Sequence, residues 1–513
     1  MEGCRKLDAA GRAARGFLIA AICCAAAADE FQTGTDLARA GQWEAARAAF
    51  LEGAHRAPRD KRYLLELAGV EYRLKDFAAA KRHLRRALEF DPGDRYGNDF
   101  LGTIYYLEGN LEAALRYWNR IGKPRIDDVT ISPEPLVDPV LLDSAFAFAP
   151  GAILGLEELR TTEARLDALD VFPSYRLELA AHPEERFDAE LHWLPVPVWM
   201  QVVSAFRGAA YQTLTPEWRN IGGSAVHWGA LLRWDAQKRR AATSLTGPLG
   251  RHAGWRYRWY ADARSEIWNA ASAQDFRLRR IASGLEFEAI PNERISWQIG
   301  AEVSSRHFAN LPDFSGGTAM EYRVAVRYEL LRIPERRFTV HTGVSAAIGR
   351  MFSGADHLFS QGQASLESRW LPQARGDDYE MNARVRAGTA QGNTPFDELF
   401  MLGVERDNDL WLRGHAGTLD GKKGSAPVGR NYFLANWDIQ KQLYRRSVFA
   451  LAVGPFLDTG RTNDVFGRGS LRRWLVDAGV EASVRVAGTL KVTLVYGREL
   501  QGGGHALSAT AGQ

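Results

Sequence analysis

The chain has 513 residues, with 65 Lys+Arg against 62 Asp+Glu and a formal net charge of +3 at pH 7. Its 46% hydrophobic content excludes wholesale disorder, and the near-balanced charge argues against nucleic acid as a partner. Mean hydropathy is −0.29, and no stretch after residue 28 approaches the ~20 apolar residues of a membrane helix, so a multi-span helical membrane protein is excluded. The length suggests about three domains.

Residues 1–28 read as a secretory signal. Arg5, Lys6, Arg12 and Arg15 precede a short apolar run from Gly16, and Ala26-Ala27-Ala28 supplies small residues for cleavage. The three cysteines, Cys4, Cys23 and Cys24, all lie in this segment. The processed chain would then carry no disulfide, thiol chemistry or Cys-based zinc site. A short helix or membrane anchor is the alternative.

From 33 to 122 the pattern repeats every 34 residues. Trp43, Phe77 and Leu111 form one series, Ala46, Ala80 and Ala114 a second, and Phe50, Leu84 and Trp118 a third. Pro58 and Pro92 stand at the same interval. Three series in one register mark tetratricopeptide repeats, each a pair of antiparallel helices. The small Ala permits close helix approach, the large residue packs into the neighbour, and Pro ends the second helix. Stacked repeats offer a concave surface for a protein partner, or serve only as a spacer.

Residues 123–195 predict the order β-α-α-β-β: a strand at Arg125–Ser132, helices at 138–148 and 156–169, and strands at 175–180 and 187–193. This order resembles a POTRA domain, a module that binds extended client segments by strand addition. An unrelated α+β linker is the alternative.

Residues 197–513 alternate with period two. In 474–486, Trp474, Val476, Ala478, Val480, Ala482, Val484 and Val486 oppose Asp477, Glu481 and Arg485; runs 295–304, 320–330 and 379–388 behave alike. Runs of about ten residues suit a transmembrane strand of ~9–11. Sixteen strands are expected, the first at 199–210, the eleventh at 396–403 and the last at 504–513. An even antiparallel set can close without an exposed edge. A soluble sandwich would alternate in the same way. The expected fold is therefore multidomain: all-α repeats, a small α+β module and an all-β barrel.

Between strands eleven and twelve lie about 27 residues, 404–430, holding Leu412-Arg413-Gly414-His415. Strand twelve carries Asp438, and strand thirteen ends Phe456-x-Asp458-x-Gly460. Here the chain resembles the bacterial surface antigen family of POTRA-plus-barrel outer-membrane transporters, the BamA/TamA/FhaC superfamily. The resemblance covers about 123–513 and is strongest over 396–500. It implies that the loop folds into the lumen and that Arg413 pairs with Asp438 and Asp458. His415 stands where the family has an aromatic residue. Alternation independently places Asp438 and Asp458 on the lumen side. A guanidinium fork suits two such carboxylates, and Gly414 would let the loop tip turn tightly. A solvated surface Arg is the alternative. The chain departs from the family in having one POTRA-like module, and it ends Ala509-Thr510-Ala511-Gly512-Gln513 where many outer-membrane barrels end in Phe or Trp.

No phosphate-binding loop, His-Glu-x-x-His or nucleophile elbow is present. No enzymatic activity, catalytic residue, cofactor or metal is expected. Asp407-x-Asp409 reads as a solvated pair and Lys422-Lys423 as an exposed turn. The resemblance implies a protein of the Gram-negative outer membrane, with residues 29–195 in the periplasm. Its expected partners are outer-membrane lipid, an unfolded or extended periplasmic client, and a periplasmic protein on the repeat surface. Its expected function is assembly or translocation of that client. A passive channel and a barrel-anchored adaptor remain the alternative functions.

Overall fold

Six helices begin the described chain. The computed structural model describes residues 30–183, 186–269, 275–311, 314, 316–353, 355–446, 449–465, 474–486 and 490–512. The proposed signal and all three cysteines lie outside these residues. Two compact units result: residues up to 125 with 153–156, and 126–152 with 157–513.

The first unit holds α1 (30–39), α2 (Trp43–Arg56), α3 (Lys61–Arg73), α4 (Phe77–Phe90), α5 (Arg95–Leu107) and α6 (Leu111–Trp118). Trp43, Phe77 and Leu111 each open a helix and are half-buried. Ala46, Ala80, Ala114, Phe50 and Leu84 are fully buried. The 34-residue interval also governs the helix ends. Asp60 and Asp94 cap α3 and α5, and Asp76 and Asn110 cap α4 and α6, each side chain accepting a backbone N–H of the first turn. Three helices close through a left-handed residue, at Gly41, Lys75 and Gly109. At each, paired backbone bonds such as Lys75 N to Tyr72 O and Asp76 N to Glu71 O satisfy the last carbonyls. Lys75 has φ 63° where its two counterparts are glycine. Lys75→Gly therefore raises the stability of this unit by up to about 1 kcal/mol, read as a higher Tm by circular dichroism. The Arg62 guanidinium holds the Asp60 carboxyl below its usual range. The benefit of that cap is present at neutral pH and is lost as pH falls through the lowered pKa.

The second unit begins with an α+β module: β1 (Arg125–Ser132), α7 (Pro139–Asp143), α8 (Leu156–Leu169), β2 (Tyr175–His182) and β3 (Arg186–Trp193). Its sheet has the order β1-β3-β2. Apolar residues of both helices and of β3, among them Leu141, Leu166, Leu169 and Leu191, form one core. Ala225 and Ala253, from the strand region that follows, join this core. Polar contacts extend the same junction: Asp138 N donates to Gly223 O at 2.8 Å, His227 Nε2 meets Leu169 O at 2.8 Å, and Arg160 pairs with Glu329.

Next comes α9 (Val198–Ala205), then two short strands, β4 (Thr213–Leu214) and β5 (Glu217–Trp218). The long strands are β6 (His227–Trp234), β7 (Lys238–Leu249), β8 (His252–Trp268), β9 (Phe276–Ala289), β10 (Ile295–Ala309), β11 (Gly317–Ile333), β12 (Phe338–Ser353), β13 (Ala355–Trp370) and β14 (Tyr379–Gly392). Three two-residue strands follow: β15 (Phe400–Met401), β16 (Thr418–Leu419) and β17 (Lys422–Lys423). The chain ends with β18 (Val428–Arg445), β19 (Phe449–Asp464), β20 (Leu475–Val486), β21 (Leu490–Glu499) and β22 (His505–Gly512). Neighbouring long strands pair antiparallel and close into a barrel that brings β22 beside β4.

Two expected strands are not strands. Residues 199–210 form α9 and a short 3-10 turn, because Trp199, Val202, Val203 and Phe206 also fit helical spacing. Residues 396–403 contribute a 3-10 turn and only β15, because their acids and apolar residues turn into the lumen. Among the described residues, fourteen barrel strands of eight or more residues stand in place of sixteen, with β4 and β5 pairing to the first of them. The alternation itself holds. Ile299, Val303, Val344, Ile348 and Tyr322 are exposed on the outside, while Arg280, Glu302, Arg306, Glu321 and Asp458 are buried within. A water-soluble protein distributes these residue types the other way round.

Candidate functional site in the barrel lumen

The 35 residues between β14 and β18 form the candidate site. They are too apolar to lie in water: Phe396, Phe400, Leu402, Val404, Leu410 and Leu412 are all buried. Phe396 packs edge-on against Trp268 and Phe276 of the barrel wall. Leu402, Leu410 and Leu412 pack with Tyr432 and Leu434. The segment is internally folded. Asp420 and Gly421 take left-handed conformations that close a hairpin between β16 and β17. Asn408 Nδ2 donates to the carbonyls of Met401 and Gly403, each at 2.8 Å.

Three charge clusters fix it to the wall. In the first, Arg413 grips Asp458 of β19: Nη2 to Oδ1 at 2.7 Å, Nε to Oδ2 at 2.9 Å, and its backbone N–H to Oδ2 at 2.9 Å. Its Nη1 reaches Glu481 of β20 at 3.1 Å. The guanidinium carbon lies 3.8 Å from the Phe456 ring centroid, a cation–π contact. Asn436 Nδ2 donates to Asp458 Oδ1 at 2.8 Å. Gly414 N donates to Asp477 Oδ2 at 2.5 Å, and His415 Nδ1 lies 3.0 Å from the same oxygen.

This differs from expectation at two residues. Asp438 is outside the hydrogen-bonding set of Arg413 and instead accepts from Asn382 Nδ2 at 3.3 Å. Its place is taken by Glu481, because Asp438 is opposite Phe456 in the β18–β19 register. Gly414 does not take a left-handed conformation; a Cβ there would lie 2.6 Å from the Asp477 carboxyl carbon. Gly414 is therefore a residue of close approach. Gly460 serves the same end, since a Cβ on it would stand 3.3 Å from both Leu402 and Leu434. His415 reaches Asp477, which the sequence reading did not single out.

The second cluster centres on Asp407, expected to be solvated but buried here. It receives Arg233 Nη1 of β6 and Arg240 Nη1 of β7, each at 2.7 Å, and Lys423 Nζ at 3.2 Å. Lys423, expected in an exposed turn, is buried and pairs also with Glu266 of β8 at 2.6 Å. Glu405 faces Lys238 Nζ at 3.3 Å. Asp409 is exposed as expected, though Arg386 of β14 reaches it at 3.0 Å.

In the third cluster, Asp397 and Glu398 meet a ladder of inward arginines. Arg264 and Arg280 reach Asp397 at 3.1 and 3.2 Å, and Arg306 reaches Asp397 at 3.0 Å and Glu398 at 2.5 Å. The carboxylates of Glu302, Glu321 and Glu398 come close enough to share a metal ion. Each is already paired with an arginine, Arg280, Arg323 and Arg306 respectively. The donor set is thus matched to guanidinium. Inward arginines on β6 to β11 and acids in the connecting segment were the available signal for the second and third clusters.

No family model matches the chain, and no curated protein matches it. Solved structures similar to it include BamA and CdiB. One is BamA from Haemophilus ducreyi lacking POTRA domains 1-3, at 10% identity and TM-score 0.44, covering 76% of this chain and 84% of that one. CdiB from Escherichia coli is similar at 13% identity and TM-score 0.49, over 76% and 75%. CdiB from Acinetobacter baumannii is similar at 10% identity and TM-score 0.45, over 75% and 73%.

Proposed function

We propose that the chain is a Gram-negative outer-membrane barrel that assembles or translocates a client protein. The observation that carries this reading is the folded segment 393–427 held in the lumen by bonds to both early and late strands. Buried charges inside and apolar side chains outside suit a wall in lipid. A lumen filled by a charge-bonded plug suits a pathway opened on demand; a passive channel needs no such segment.

In this reading the helical unit is a set of tetratricopeptide repeats that recruits a periplasmic client or partner. The β-α-α-β-β module is a POTRA domain that offers a strand edge to an extended client. Arg413, with Asp458, Glu481 and Asp477, latches the plug. The barrel supplies positioning and a path, with no covalent chemistry. Deletion of residues 33–122 tests the assignment. Client delivery is lost while the barrel still shows heat-modifiable migration in gels. Undiminished delivery would reduce the repeats to a spacer, and a large constitutive conductance in planar bilayers would turn the protein into a passive channel.

A further inference from the structure

The helix α9 between the module and the first barrel strand carries an apolar stripe that no part of the described chain covers. Trp199, Val202, Val203 and Phe206 follow i, i+3, i+4 and i+7 spacing and are 63%, 57%, 54% and 56% exposed. The other face turns inward: Met200, Gln201 and Ser204 line a cavity of about 370 Å³ with Leu136 and Trp193 of the α+β module.

The helix is stitched to the barrel. Ala205 O accepts from Thr215 N at 2.8 Å, Gly208 O accepts from Thr213 N at 3.0 Å, and Arg207 pairs with Glu217 at 2.7 Å. Beside it, Trp218, Leu232 and Trp234 are exposed on the outer face of β5 and β6. Arg233, between Leu232 and Trp234, points inward to Asp407. The stripe thus continues the outer apolar surface of the wall. α9 also carries no charged residue. Tryptophans at a wall's edge suit the boundary between acyl chains and water.

We propose that α9 is an interfacial membrane helix, its Trp199–Phe206 stripe buried in the bilayer boundary beside the first barrel strand. The occupant of the stripe is lipid. This rests on the reading of the barrel as a membrane protein. The helix would anchor the start of the barrel, where β4 and β5 offer only short pairings to β6, and would hold the α+β module against the membrane surface.

The test uses the full chain with Cys4, Cys23 and Cys24 replaced by serine. Val203→Cys, labelled with bimane, is reconstituted in vesicles of phosphatidylethanolamine and phosphatidylglycerol. Val202→Cys is a second site on the stripe, Gln201→Cys reports the opposite face, and Val344→Cys reports the outward face of β12. Expected is strong quenching of Val203 and Val202 by lipid with a shallow acyl-chain nitroxide, with little quenching by aqueous iodide. Gln201 resists the lipid quencher, and Val344 is quenched by a deep nitroxide. If Val344 is quenched by lipid but the stripe yields only to iodide, the inference fails while the membrane barrel stands. Protection of the stripe from both quenchers means that protein covers it, which also overturns the inference. A Val344 label untouched by lipid would remove the membrane reading itself, and the proposal with it.

Discussion

Arg413→Ala lowers the unfolding temperature of the barrel and loosens its lumen segment. The substitution leaves Asp458, fully buried, and Glu481 without their guanidinium. Breaking a buried ion pair from one side costs about 3–5 kcal/mol, mostly because the remaining charge is stranded. Asn436 still donates to Asp458, so the effect belongs at the lower end of that range. Arg413→Lys restores charge without the fork and recovers only part of the loss. Asp438→Asn is the control: Asp438 accepts from an amide and not from Arg413, so it shifts stability little. Heat-modifiable migration in gels reads all three variants. Equal migration of Arg413→Ala and the parent chain would remove the latch from the proposal.

Asp407→Ala acts on the other side of the barrel closure. One carboxylate there meets three cations. Arg240 keeps Asp262 and Lys423 keeps Glu266, but Arg233 retains only a 3.4 Å contact with the Thr213 hydroxyl. The variant therefore strands a buried guanidinium, again at a cost of about 3–5 kcal/mol. Its expected signature is functional: the segment loosens from β6 and β7, where the Glu405–Lys238 pair remains, and planar bilayers show larger and more frequent openings than the parent chain. Asp407→Ala combined with Arg233→Ala recovers part of the closed behaviour, because the stranded charge is gone. Unaltered conductance in the single variant would mean that this cluster does not hold the plug.

Local patterns were legible, and cross-chain partners were not. The 34-residue register is short-range: it was legible as the series Trp43, Phe77 and Leu111, which the structure places at helix starts. It extends to the caps at Asp60 and Asp94 and the turns at Gly41, Lys75 and Gly109, which a search for apolar repeats passes over. Alternation gave the faces of β10, β11, β14 and β20, since side-chain direction in a strand follows from parity alone. Residues 199–206 satisfy helical spacing as well as strand propensity, and parity could not decide between them. The partner of Arg413 depends on register across two strand pairs. A bulge between Gln442 and Tyr444 resets the β18–β19 pairing, and nothing in the sequence marks it. Asp407 and Lys423 looked solvated because charges in a long connection usually are; their burial follows only once arginines on β6 and β7 face inward.

The positions of the two anchors along the chain have a mechanical consequence. Asp407 bonds to β6 and β7, near the start of the barrel, and Arg413 to β19 and β20, near its end. The closure of the wall lies between those groups of strands. The anchors stand six positions apart in the chain, with five residues between them, and six fully extended steps reach roughly 20 Å. The lumen segment is therefore a tether of fixed maximum length slung across the closure. Small widening draws only on the slack of the Asn408–Leu412 turn. Separation beyond the tether's reach loads Asp407 and Asp458 in series, and the weaker anchor sets the force at which the wall can part.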